Sequence, residues 1–151
     1  MVLKIAVGSE HAGAEYRQRL VRVLLQRGYE TDEIAEDKKR TGYPAIAEEV
    51  ARTVVSHKAD MGILICGTGI GMCMAAGKIP GIRAALCTDP YMGAMARKHN
   101  NANILIFGSR VIGFEEMVYI LDTFLNESYE GGRHDARLGD LEALEEKYTK
   151  L

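Results

Sequence analysis

Cysteine, proline and clustered positive charge are all scarce in this chain. Its three cysteines, Cys66, Cys73 and Cys87, are odd in number and form no C-x-x-C pair, which argues against a disulfide framework and a zinc ribbon and leaves free thiols. Only three prolines occur among 151 residues, and with 47% apolar and 26% charged residues the composition suits a packed core. A long basic run is missing: 19 Lys and Arg face 21 Asp and Glu, for a net charge of −2. Affinity for nucleic acid rests on clustered cations that release counterions, so nucleic acid is not an expected partner. No apolar run approaches the length that spans a bilayer, and the opening Met1–Gly8 stretch is too short and too soon interrupted for a signal peptide. The expectation is one cytoplasmic domain over residues 1–151, with no membrane partner.

What is present is an alternation of short apolar runs with segments of helical spacing, the β-α rhythm of a parallel sheet. Strands are expected at Leu3–Val7, Glu30–Ile34, Met61–Cys66, Ala84–Cys87 and Ile104–Phe107, the last three buried on both faces. Between them, Tyr16, Leu20, Val23 and Leu24 share a helical face, as do Ile46, Val50 and Val54, and again Met117, Ile120, Leu121 and Phe124. Gly28 suits the end of the first helix and Pro44 the first turn of the second, while the charged residues 35–43 read as a surface loop. From Arg133 onward, Leu138, Leu141, Leu144 and Tyr148 recur at near-helical spacing, as expected of a helix that docks on another surface, such as a second subunit.

Ligands of open parallel sheets bind beyond the carboxyl ends of the strands, so motifs that follow strands carry the chemistry. Ser9-Glu10-His11-Ala12-Gly13, Cys66-Gly67-Thr68-Gly69-Ile70-Gly71 and Thr88-Asp89-Pro90 all do. The alternating glycines suit either an anion-holding turn or a tight strand-to-helix connection. A dinucleotide site is a rival reading, with Asp89 as the ribose acid, but Met72 stands where the third glycine of that fingerprint belongs. Cys66 ends its strand where the next helix favours a thiolate, and reads as a base or nucleophile or else as an inert buried thiol. His11 and His99 are placed on the same rim as proton carriers, against the alternative of surface or capping histidines. Arg133 and Arg137 would share a helical face that suits a phosphate dianion, unless that face is simply solvated.

As a set, these residues resemble the ribose-5-phosphate isomerase B family, which includes allose-6-phosphate and galactose-6-phosphate isomerases. The resemblance runs nearly end to end, through Glu10–Gly13, Thr41–Pro44, Ile65–Gly71, Gly81–Ala84, His99-Asn100, Gly108–Val111 and Gly131-Gly132-Arg133-His134-x-x-Arg137. It implies an α/β chain: a three-layer α/β/α sandwich with a Rossmann-like five-stranded parallel sheet and a C-terminal helix. It further implies a homodimer or homotetramer with shared sites, and an aldose-ketose isomerisation of a phosphorylated sugar that needs no metal or cofactor. By the same resemblance Cys66 is the base, and His99 assists ring opening with Thr68. His11, Arg133 and Arg137, joined by Arg110 across the interface, hold the phosphate, while Glu10, Tyr43 and Asn100 meet sugar hydroxyls. The backbone from Gly67 through Gly69 and Ile70 to Gly71 is expected to stabilise the enediolate oxygen. Members of another branch carry a glutamate base at the position of Met72. Glu10 stands where the family usually has Asp, which points toward a shorter or differently configured sugar such as a tetrose phosphate, whereas the Gly-Gly-Arg-His tail favours a pentose phosphate.

Overall fold

Five short strands, the three central ones drawing on Ile and Val, lie side by side in the computed structural model, which describes residues 1–149. They are β1 (Lys4–Ser9), β2 (Glu30–Ile34), β3 (Met61–Cys66), β4 (Ala84–Leu86) and β5 (Ile104–Gly108), all parallel, in the order β2-β1-β3-β5-β4. Each strand leads into a helix: a 3₁₀ turn (His11–Gly13) and α1 (Ala14–Gln26) after β1, α2 (Tyr43–Val55) after β2, α3 (Ile70–Ala76) after β3, α4 (Pro90–Lys98) after β4 and α5 (Phe114–Asn126) after β5. A sixth helix, α6 (His134–Thr149), ends the described chain.

Alternation along the central strands sorts side chains into two cores. Ile5, Val7, Ile63, Ile65, Leu105 and Phe107 meet α1 and α5 through Leu20, Leu24, Met117, Ile120 and Phe124. Ala6, Leu64, Ile104 and Ile106 point the other way, onto Ile46, Val50, Val54 and Met72 of α2 and α3. The result is the expected three-layer α/β/α arrangement, whose fully buried large side chains each contribute about 1.5–3 kcal/mol. Met72, which replaces a fingerprint glycine, is a core residue.

Gly28, at a φ of +86° just past α1, lets the chain reverse so that the Tyr29 N–H bonds to the Leu24 carbonyl. Pro44 sits in the first turn of α2 as expected. Three expectations need correction. β4 is an edge strand of half-buried residues, because β5 covers only one of its sides. The buried face of α1 runs through Arg17, Leu20, Val21 and Leu24, with Val23 half-buried at its margin. Arg133 precedes α6 in a turn built on Gly131 and Gly132, so it does not share a helical face with Arg137. Among the described residues α6 buries none of its side chains: Leu141, Leu144 and Tyr148 are each at least half exposed.

Candidate active site

The chain moves outward from β1 to β2 and then crosses to β3 on the other side, so β1 and β3 flank the switch point where a parallel sheet opens a crevice. Ser9 pairs in register with Ile65, which sets the Glu10-His11 turn beside the Cys66 turn. β5 joins them: the Ser109 N–H donates to the Cys66 carbonyl, the Arg110 N–H to the Gly67 carbonyl, and the Ser109 hydroxyl to the Ala12 carbonyl at 2.7 Å.

Cys66 is the last residue of β3 and is buried. Its sulfur accepts a hydrogen bond from the Gly69 N–H at 3.1 Å. The turn that makes this possible puts Gly69 at a φ of +83°, and a Cβ there would stand 2.5 Å from Leu86 and 3.1 Å from the Phe107 carbonyl carbon. Thr68 Oγ1 accepts from the Ile70 N–H at 3.2 Å, so two of the amide groups expected to face an oxyanion are turned to the protein's own side chains in this state. Tyr43, at the start of α2, lays its ring over Gly71, and the Arg110 guanidinium lies against Gly67 of its own chain.

Glu10 is buried, with one oxygen accepting from the Ala12 N–H at 2.9 Å and the other 2.9 Å from Nδ1 of His11. His11 itself is open to solvent. Glu36, in the loop before α2, completes this corner. Its carboxylate accepts from the His11 N–H at 2.6 Å and the Gly42 N–H at 2.9 Å, and also stands 3.6 Å from the His11 ring. The Gly42 amide foremost, with the His11 amide and ring, holds the Glu36 carboxyl below the usual carboxylate range. Sequence reading missed Glu36 because an acid in a charged loop reads as solvated surface. Behind it, Arg17 is buried between Ser9 (2.5 Å) and Glu33 (2.9 Å) and walls a small pocket of about 180 Å³ with Glu10, His11 and Glu36.

His99 is not on this rim. α4 starts beyond the carboxyl end of β4 and runs back along the sheet for nine residues, a rise of about 13 Å. His99 caps its far end, and Asn103 nearby bonds to Arg83 and Gly62, just before β4 and at the start of β3. His99 and Asn100 therefore lie at the amino ends of the strands. The His134 ring stacks on His99 with centroids 4.2 Å apart and planes 20° apart, which brings Arg133 and the start of α6 to the same end. Arg137 is exposed and pairs with Asp140 at 3.1 Å. One chain thus carries two separate groups: Glu10, His11, Tyr43, Cys66 to Gly71 and Arg110 at the carboxyl ends, and His99, Asn100, Arg133 and Arg137 at the amino ends.

Asp89 does not serve as a ribose acid beside the glycine turn. It caps α4 through the Met92 N–H at 2.9 Å and follows β4, which β5 separates from β3. The other thiols fit inert roles: burial pushes Cys87 up to about 12 and raises Cys73 as well. Among the described residues, two groups, Glu10-His11-Glu36 and His99-Glu130-His134, bring potential metal-ligating atoms within 4.8 Å of one another. Among the described residues no helix is long and apolar enough to cross a membrane.

The chain belongs to the ribose/galactose isomerase family, whose model matches residues 5–141 and so takes in every turn of the switch-point crevice. Among its relatives is ribose-5-phosphate isomerase B of Escherichia coli K12, 44% identical over 95% of this chain and 97% of that one. D-erythrulose-4-phosphate isomerase of Pectobacterium atrosepticum is 39% identical, over 87% of this chain and 88% of its own. The solved structure of Clostridium thermocellum ribose-5-phosphate isomerase B superposes with a TM-score of 0.93 at 44% identity, covering 97% of this chain and 99% of that one.

Proposed function

We propose that the protein interconverts D-ribose 5-phosphate and D-ribulose 5-phosphate through an enediolate, with Cys66 as the base. The observation that carries this reading is the Cys66 sulfur at the switch point, fixed by the Gly69 amide and flanked by the Glu10-His11 turn and Arg110. The thiolate takes a proton from the carbon next to the carbonyl, and negative charge moves onto the carbonyl oxygen. A proton then passes to that oxygen from the hydroxyl of the deprotonated carbon, which becomes the new carbonyl, as the thiol returns its proton to the former carbonyl carbon. Each well-placed amide donor in the glycine turn is worth about 3 kcal/mol to the charged oxygen. That stabilisation requires substrate to draw the Gly69 and Ile70 amides toward itself.

His99 assists ring opening with Thr68, while His11, Arg110, Arg133 and Arg137 hold the phosphate and Glu10, Tyr43 and Asn100 contact hydroxyls. Because the His99 group and the Cys66 group sit at opposite ends of one sheet, this reading requires a second copy to bring them together, in a homodimer or a homotetramer built from dimers. The half-exposed apolar residues of α6 suit such an assembly.

A second reading, a tetrose phosphate as substrate, is favoured by Glu10 and by the likeness to the erythrulose-phosphate isomerase. Glu10 spends both oxygens on Ala12 and His11, which fixes how far its carboxylate reaches into the crevice. Turnover of ribose 5-phosphate, allose 6-phosphate, galactose 6-phosphate and a tetrose phosphate, before and after Glu10→Asp, separates the readings. The pentose should lead in both proteins; a tetrose that leads only with Glu10 favours the second reading, and no ketose from any of them removes both.

A further inference from the structure

We propose that Glu36 is a positioning residue that gauges the length of the sugar phosphate: its carboxylate ties the His11 turn to the start of α2, and so fixes the spacing between a group that meets the phosphate and one that meets a hydroxyl. Such a gauge rests on the roles given to His11 and Tyr43 above.

A carboxylate has two oxygens, and Glu36 uses one on each wall of the crevice. Oε1 accepts from the His11 N–H at 2.6 Å and Oε2 from the Gly42 N–H at 2.9 Å. His11 follows β1, while Gly42 is the N-cap of α2, with Tyr43 the first helical residue. Gly42 has no side chain with which to cap the helix. The acid comes instead from six residues upstream, where its charge also suits the positive end of α2. The loop itself sets the position of Glu36: Asp37 Oδ1 accepts from the amides of Lys39 at 2.7 Å and Arg40 at 2.8 Å, and the Asp37 N–H donates to the Arg40 carbonyl at 2.9 Å. The chain between Glu36 and Gly42 therefore doubles back on itself.

Each wall carries a group that meets substrate in the proposed reaction. The Tyr43 ring lies so close to Gly71 that a Cβ there would stand 2.9 Å from it, which links the start of α2 to the glycine turn. The His11 ring stands open to solvent, its Nδ1 2.9 Å from Glu10 and 3.6 Å from Glu36. A pentose phosphate and a tetrose phosphate differ in length by one carbon, so a hold of fixed spacing on both ends tells them apart. A misplacement of about 1 Å can cost on the order of a hundredfold in rate.

The test compares kcat/KM for D-ribose 5-phosphate with that for D-erythrose 4-phosphate. Their ratio does not depend on how much of the protein is folded, so lost stability alone leaves it where it was. In the unaltered protein the two should differ by about tenfold or more, the worth of one carbon in a fitted site. Glu36→Ala, and the milder Glu36→Gln, which keeps one acceptor oxygen, should each bring the ratio toward one by at least about fivefold. Ki for inorganic phosphate should stay within about twofold, since a lone phosphate meets only one end of the gauge. Gly28→Ala, strained but away from the crevice, should leave the ratio alone. A ratio unmoved in both Glu36 variants, an equal shift in Gly28→Ala, equal use of the two sugars by the unaltered protein, or a Ki that climbs in step with KM overturns the gauge and leaves the proposed reaction standing. No ketose from either sugar with the unaltered protein overturns the proposed reaction, and the gauge with it.

Discussion

Cys66 and Arg137 act at different moments of the proposed reaction, and single substitutions should separate them. Cys66→Ala should stop exchange of substrate hydrogen with heavy water while phosphate affinity stays, since a base contributes only in the transition state. Arg137→Ala should mainly raise KM. Exchange at the original rate in Cys66→Ala would show another group to be the base. Glu36 offers a pH-dependent test. Its folded value lies below the ordinary one, so its contribution to stability is full above about pH 4.3 and disappears as pH falls through the lower folded value. Urea midpoints of the unaltered protein and Glu36→Gln should therefore differ at pH 7 and converge in strong acid. The placement of Cys66, His11 and Glu10 at the carboxyl ends of the strands was legible in the sequence because each ends or follows an apolar run. Glu36 was not, since its role comes from two backbone amides that only the folded loop brings to it.

At the scale of elements, the turn between β3 and α3 is constrained both by its backbone conformation and by its neighbours. Gly69→Ala forces a left-handed residue, at about 1–2 kcal/mol, and drives a Cβ against Leu86 and the Phe107 backbone, so both melting temperature and turnover should fall. Gly28→Ala is the control. It shares the left-handed φ but meets nothing within 4 Å, so it should lose about 1–2 kcal/mol of stability and no activity. A turnover loss of equal size in both would mean the glycine turn acts only through overall stability. The strands were readable from apolar runs, and the second strand, Glu30-Thr31-Asp32-Glu33-Ile34, emerged where expected despite its polarity. The half-burial of β4 was not readable, because an apolar edge strand and an apolar central strand look alike in sequence. The end of the sheet occupied by His99 follows from α4 running back antiparallel to β4 over nine residues, which carries its final turn away from the carboxyl rim.

For the whole molecule, the separation of His99 from Cys66 gives a complementation test. Cys66→Ala and His99→Ala chains, each inactive alone, should recover activity when mixed after gentle dissociation. A random mixture of dimers forms hybrids half the time with one intact site in two, so about a quarter of the unaltered activity is expected. No recovery, with hybrids demonstrated by mass, would place both residues in one chain's site.

One border of the sheet carries a different consequence. β2 has a free flank and presents Glu30, Asp32 and Glu33 along it, with Arg17 neutralising only the last. Acids on an unpaired strand repel the backbone of any neighbour seeking to extend the ladder. Fibril growth by strand addition is thereby discouraged on that flank, and concentrated solutions should stay clear where a valine-rich border would seed precipitation.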